Sequence, residues 1–232
     1  MRVLLILPAF NEQDAILHTV SQIRSAVFSP ALDVDFIVID DGSTDATSRL
    51  CRENGIPCIS LIQNLGIGGA VQTGFFYAFR YGYDIAVQMD GDGQHDAAYL
   101  EKMEETLLRE NADMVIGSRF IEKKGFQSSG MRRVGIRLFT VLSGVLFGKP
   151  ILDATSGMRM CSRRTIELFV KDYPRDYPEP ETVCRLLRKK YKVVEVPVIM
   201  KERESGESSI SLNKSVYYMI KVTLAIIIER LR

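Results

Sequence analysis

Short apolar runs alternate with amphipathic stretches along the first ninety residues. The runs are Val3–Leu7, Asp35–Ile39, Pro57–Leu61 and Ile85–Met89. Between them, Glu12–Ala26, Asp45–Glu53 and Gly68–Tyr81 repeat apolar residues at helical spacing. Strands that alternate with helices predict an α/β domain, with a mostly parallel sheet and right-handed crossovers. The second half is less regular. Met114–Gly117 and Lys192–Val198 read as strands, and Arg132–Phe147, Pro180–Lys190 and Leu212–Arg232 as helices. Asp153–Arg159 reads as a turn-rich polar segment and Lys201–Ser209 as a polar loop. The chain shows no internal repeat and no low-complexity tract.

In such sheets ligands bind at the carboxyl ends of the strands. Three polar clusters fall there: Pro8-Ala9-Phe10-Asn11-Glu12, Asp40-Asp41-Gly42-Ser43 and Asp90-Gly91-Asp92. Helix capping explains any one of them, with Asn11 capping the first helix and Ser43-Thr44-Asp45 the second. It does not explain why all three follow strands and all carry carboxylates. In "VQMDGDGQH" (Val87–His95) two aspartates stand two apart, with glycines that permit unusual backbone angles. That composition suits a metal or phosphate site.

Bulk properties narrow the classes. The 232 residues fit one large domain, and 46% hydrophobic with 25% charged residues supports a sizeable core. A net charge of +1 gives no global field for nucleic acid. Cys51, Cys58, Cys161 and Cys184 form no CxxC pair, so zinc and a disulfide framework are poorly supported and a reducing cytosol fits. The N-terminus reads as a buried strand rather than a signal segment. The apolar stretch from Val216 to Ile228 is broken by Lys221 and falls short of the roughly 20 residues that span a bilayer, so no transmembrane helix is expected.

"PAFNE" (Pro8–Glu12), "IDDGSTD" (Ile39–Asp45), "NLGIGGAVQTGF" (Asn64–Phe75) and "DGDGQH" (Asp90–His95) occur in one order. In that order they resemble the inverting family-two glycosyltransferases of GT-A fold. "GSR" (Gly117–Arg119), "MRRVGIRLF" (Met131–Phe139) and "DATSGMRMCSRR" (Asp153–Arg164) narrow the resemblance. It points to the polyprenyl-phosphate glycosyltransferases of dolichyl-phosphate mannose synthase type. The resemblance covers nearly the whole chain. It implies a Rossmann-like central sheet flanked by helices, with C-terminal interfacial helices. Residues 1–210 would form the catalytic domain, and 211–232 a helix for membrane or oligomer contact.

The resemblance also implies roles. Pro8, Ala9 and Glu12 would line the nucleoside, with Asp40 or Asp41 on the base or ribose, since carboxylates accept from imide and hydroxyl groups. Gly68 and Gly91 would let the backbone approach the donor. Asp90 and Asp92 match a DxD motif that holds Mg²⁺ or Mn²⁺ on the diphosphate. Asp92 is the first candidate ligand and Gln94 the second, with Asp90 ligating directly or through water; His95 is expected to be structural.

A polyprenyl phosphate is already an anion, so it attacks the anomeric carbon without a general base. The site must then supply positive charge, for which Arg119, Arg132, Arg159 and Arg203 are the candidates. Arg133 and Arg137 are equally well read as solvated charges. The Arg132–Phe139 stretch fits an interfacial helix, and the last helix offers a second apolar contact. These features imply a cytoplasmic enzyme, peripheral on the inner face of the membrane. A small recruiting membrane protein and a homo-oligomer are the expected partners. By the same family resemblance, UDP-GlcNAc or UDP-glucose is the expected donor. The alternative is a sugar-hydroxyl acceptor, with Glu179 or Glu181 in "YPEPE" as base. A binding module without turnover has nothing specific behind it, and a dehydrogenase lacks GxGxxG after the first strand.

Overall fold

The computed structural model describes residues 1–91, 93–122, 124, 130–175, 178–200 and 212–231. The first half runs β1 (Arg2–Ala9), α1 (Ile16–Ser25), β2 (Asp33–Asp40), α2 (Thr47–Glu53), β3 (Cys58–Ser60), α3 (Gly66–Arg80) and β4 (Ile85–Gln88). The second half runs α4 (Leu100–Arg109), β5 (Met114–Ser118), α5 (Gly130–Phe147), β6 (Arg159–Ser162), α6 (Arg163–Lys171), α7 (Pro178–Arg188), β7 (Val193–Pro197) and α8 (Leu212–Leu231).

The strands form one seven-stranded sheet in the order β3-β2-β1-β4-β6-β5-β7. All neighbours are parallel except β6, which runs antiparallel to both β4 and β5. The unbroken apolar run of β1 follows from its central place. Val3, Leu5 and Leu7 face one core layer with α1 and α4. Leu4 and Ile6 face the other, with α3, α6 and α7. A strand covered on both faces has no position left for a polar residue. Each of these side chains is essentially inaccessible and stabilises the fold by about 1.5–3 kcal/mol. A Cβ on Gly74 would collide with Ile6, which is why α3 lies so close to β1.

Three elements depart from the sequence reading. The segment read as turns up to Arg159 ends in a strand, β6, that passes directly into α6. Four residues with a buried arginine at their head carry no strand period. The third is α4, although Leu100, Met103 and Leu107 stand at helical spacing and are buried. Asn11 does not cap α1. It sits at φ 55°, and its Oδ1 accepts from the Thr44 N–H at 2.9 Å, tying the first polar cluster to the second. Asp45 does serve the start of α2, accepting from the Thr47 N–H at 2.9 Å.

The C-terminal helix α8 packs on α7 and α5 through Val222 and Ile226 against Phe139 and Cys184. A polar latch joins it: Glu229 Oε1 lies 3.0 Å from Arg188 Nε and 3.6 Å from Arg185 Nε, and Arg185 Nη1 lies 2.6 Å from Asp172 Oδ1. Among the described residues no helix is long and apolar enough to cross a membrane.

Candidate active site

The carboxyl ends of β1, β2 and β4 meet at one edge of the sheet, because β1 pairs with both others in parallel register, Ala9 beside Asp40 and Ile6 beside Gln88. A cleft of about 440 Å³ opens there. Its walls are Pro8, Ala9, Phe10 and Glu12 from the first cluster, Asp41 from the second, and Asp90 and Gly91 from the third. Asn64, Gly66, Ile67 and Ala70 close it from the start of α3. The size suits a nucleotide-scale ligand.

Asp41, not Asp40, faces this space. Asp40 Oδ1 turns back to accept from the Ser43 N–H at 3.1 Å. Asp41 Oδ1 accepts from the Leu65 N–H at 2.7 Å, which couples the β2 end to α3. Burial pushes the Asp41 carboxyl above the usual aspartate range, against the lowering effect of the Leu65 and Gly66 amides. Gly68 does not line the cleft. A Cβ there would collide with the carbonyls of Pro174 and Arg175, so its bareness serves packing against that segment.

Asp90 is held from two sides. His95 is buried, and its Nε2 lies 3.3 Å from Asp90 Oδ2. On the other side, a Cβ on Gly157 would overlap the carboxylate, so the "TSG" turn leaves room for Asp90. Thr19 Oγ1 donates to the Gly91 carbonyl at 2.9 Å and anchors the loop to α1. Gln94 follows in the same loop and is half-buried; Asp92 lies outside the described residues. Among the described residues no three His, Cys, Asp or Glu side chains converge.

Glu179, at the start of α7, adjoins this acidic centre. Burial pushes its carboxyl up, and the charge of Asp90 adds to the rise while Arg159 opposes it.

The arginines divide into two groups. Arg119 is buried in a fork with Asp153: Nε–H donates to Oδ2 at 2.7 Å and Nη2 to Oδ1 at 2.6 Å. Asp153 is itself set by Glu195, whose Oε1 accepts from the Asp153 N–H at 2.8 Å. Arg159 is 2% exposed and bonds four times: Nε to Ser156 O, Nη1 to Glu179 O and Thr182 Oγ1, and Nη2 to Ala154 O, all at 2.6–2.8 Å. The bonded donors of these two guanidinium groups hold the turn around Asp153 and the start of α7. Arg132 opens α5, but its side chain, like Arg203 and the loop 201–209, lies outside the described residues. Arg133 and Arg137 are exposed on α5.

Sequence reasoning did not name Phe10, Asn64, Ile67 or Ala70 as cleft residues. Asn64 and Ile67 stood in the glycine-rich motif and were open to it; the side-chain direction of Phe10 was not.

The wall of the cleft thus carries three carboxylates, Glu12, Asp41 and Asp90, and no lysine or arginine among the described residues. The oxygen donors present fit a hard divalent ion such as Mg²⁺ or Mn²⁺.

Comparison with known proteins agrees with this architecture. The glycosyl transferase family 2 model matches residues 4–169. An undecaprenyl-phosphate mannosyltransferase from Micrococcus luteus is 31% identical over 220 residues, covering 91% of this chain and 88% of that protein. A UDP-N-acetylglucosamine–dolichyl-phosphate N-acetylglucosaminyltransferase from Methanococcus voltae is 28% identical, covering 84% of this chain and 83% of its own. In three dimensions the chain resembles glucosyl-3-phosphoglycerate synthase from Mycobacterium tuberculosis, solved with Mn²⁺, UDP-glucose and phosphoglyceric acid. The TM-score is 0.72 at 20% identity, covering 98% of this chain and 79% of that one. The parallel sheet with one reversed strand, the acidic cleft at its edge and the four ordered motifs therefore have one explanation: the chain belongs to glycosyl transferase family 2 and is a glycosyltransferase of GT-A fold.

Proposed function

We propose that the enzyme transfers a sugar from a UDP-sugar, UDP-GlcNAc or UDP-glucose, to a polyprenyl phosphate, with inversion. The observation that carries the lipid acceptor is the outer face of α5. Val134, Leu138, Val141 and Val145 are 59%, 40%, 61% and 76% exposed and follow one another at helical spacing. Arg133 and Arg137 flank them, and the helix contains no acidic residue. An exposed apolar stripe edged with arginine fits the headgroup boundary of an anionic bilayer. The named activities of the Micrococcus luteus and Methanococcus voltae relatives support the same acceptor class. The donor follows the Methanococcus voltae relative and the family resemblance.

In this reading the base sits against Pro8, Ala9 and Asp41, with Glu12 toward the ribose. Asp90, Asp92 and Gln94 would hold a divalent cation, which offsets the charge that grows on the departing diphosphate. His95 and Gly157 fix Asp90, and so the place of the anomeric carbon. The acceptor phosphate oxygen, anionic at neutral pH, attacks that carbon from the face opposite the diphosphate. No proton need be removed. Arg132, with Arg133 and Arg137 beside it, receives the acceptor phosphate, and Arg203 covers the diphosphate. Arg119 and Arg159 act as positioning residues. The enzyme works from the cytoplasmic membrane surface. The exposed Leu224, Ile227 and Ile228 of α8 give a second contact, to lipid, a small membrane protein or a second copy.

Glu179 supports a second reading. A carboxyl raised by burial beside Asp90 is suited to take a proton from a sugar hydroxyl. A transfer assay separates the two. The protein is incubated with Mn²⁺, a panel of UDP- and GDP-sugars and a short polyprenyl phosphate, and products are read by mass spectrometry. A lipid-phosphate sugar from one UDP donor is expected, falling about 100-fold or more in Asp92→Ala and persisting in Glu179→Ala. Transfer to a sugar hydroxyl that vanishes in Glu179→Ala, with no lipid product, would overturn the lipid reading.

A further inference from the structure

A second cavity, of about 270 Å³, shares the Asp90 loop with the cleft as a common wall. Asp90 and Gly91 line the cleft, whereas Met89, His95 and Asp96 line this cavity. Its other wall is the second half of α1 and the residues just after it. Ile23, Met89 and Ala97 make a buried, apolar floor. The His95 side chain is 1% exposed, and its Nε2 lies 3.3 Å from Asp90 Oδ2. Its Nδ1 is buried without a hydrogen-bond partner among the described residues. The two nitrogens stand on different edges of the ring, so the one that meets Asp90 leaves the other to the cavity. A carboxylate accepts, so the proton of this pair sits on Nε2, and Nδ1 of the neutral ring is an acceptor.

The other polar side chains of the wall also offer acceptors. The Thr19 hydroxyl proton is engaged by the Ala15 and Gly91 carbonyls, at 3.1 and 2.9 Å. The Ser25 hydroxyl donates to the Gln22 backbone carbonyl at 3.0 Å. Gln22 Nε2 donates to His18 Nε2 at 2.8 Å, which leaves the amide oxygen as an acceptor. Asp96 adds a carboxylate, and the wall holds no lysine or arginine. We propose that this cavity is a second ligand site that takes a small aliphatic primary amine. Its ammonium points toward His95 Nδ1 and Asp96, and its carbon chain lies along Ile23, Val27 and Met89. An ammonium brings three donors and no acceptor, which matches side chains that offer only acceptors. A hydroxyl brings lone pairs that meet no free side-chain donor, and an anion meets the Asp96 charge. A buried acceptor left unmatched is costly, so the occupant satisfies what the fold leaves open at Nδ1. The inference does not rest on the sugar donor or the acceptor.

The chain has 2 histidines, so ¹⁵N-histidine labelling gives a spectrum of two rings, assigned through His18→Gln. Labelled wild-type protein is titrated, at constant pH and ionic strength, with 1,4-diaminobutane, 1,4-butanediol and succinate. These probes have the same chain length and differ in their ends. The expected result is a saturable shift of the His95 Nδ1 signal with the diamine and none with succinate. The diol, which lacks charge, is expected to bind about tenfold or more weakly than the diamine. Ala98 lines the cavity from an exposed position, so Ala98→Trp fills the site without entering the core. There the diamine affinity is expected to fall about tenfold or more. A His95 signal that the diamine leaves unmoved, a response to the diol or succinate as strong as to the diamine, or an unchanged diamine affinity in Ala98→Trp would overturn the proposal.

Discussion

Arg159 stands in β6 opposite Gln88 of β4, and the interior of the site is assembled around its side chain. Its four bonds reach three carbonyls and a hydroxyl that have little access to water. Removing it leaves those acceptors buried and unsatisfied. Arg159→Ala is expected to lose about 3–5 kcal/mol in urea unfolding, a stability defect larger than any direct effect on donor binding. Asp41 gives the opposite kind of residue, one that lines the open cleft. Its carboxyl is raised by burial, so on acidification it takes up a proton earlier than an ordinary aspartate of about 3.9. In the proposed function the carboxylate accepts from the base imide, and its protonated form accepts more weakly. UDP affinity by calorimetry is expected to be full at neutral pH and to fall as pH drops toward that raised value, and Asp41→Asn should flatten the dependence. Which of two adjacent aspartates faces the ligand was closed to the sequence. The Ser43 and Leu65 amides that orient Asp40 and Asp41 sit 3 and 24 positions further along.

At the scale of elements, β1 to β4 and their helices were readable because each obeys a local rule. A strand buried on both faces is continuously apolar, and a helix on one face of a sheet has an apolar stripe. The element α5 obeys a different rule. Its inner side packs through Ile136 and Phe139, and its outer side stays apolar without a described neighbour. Substituting Val134 and Val141 together by aspartate changes exposed positions only, so thermal stability should move little. Binding to vesicles containing anionic lipid should fall about tenfold or more, at roughly 0.8 kcal/mol per CH₂ withdrawn from the interface. Sedimentation of both proteins with such vesicles checks this. By contrast β6 and α6 escaped the pattern. The identity of β6 depends on pairing with β4 and β5, strands that lie more than forty residues away in sequence, and α6 follows it without a break.

For the molecule as a whole, α8 is joined by charge as well as by apolar contact. Glu229 is 5% exposed between Arg185 and Arg188. Glu229→Ala leaves Arg185 buried with less compensation and should cost about 3–5 kcal/mol. Limited proteolysis should then release the C-terminal helix before the rest of the chain unfolds. Polar groups at this contact also fix how α8 lies, which an apolar seam alone would leave free to slide.

The sequence by itself determined the α/β class, the first four strands along the chain, the family and the three acidic clusters that build the cleft. Each of these is written in short stretches of chain, where burial imposes a period and a turn imposes glycine. Only the tertiary structure decided that Asp41 rather than Asp40 faces the cleft and that Arg119 and Arg159 are bound internally. Those outcomes are set by which donors and acceptors reach each other across the sheet, and hydrogen-bond geometry of that kind depends on distances between segments that the linear order does not contain.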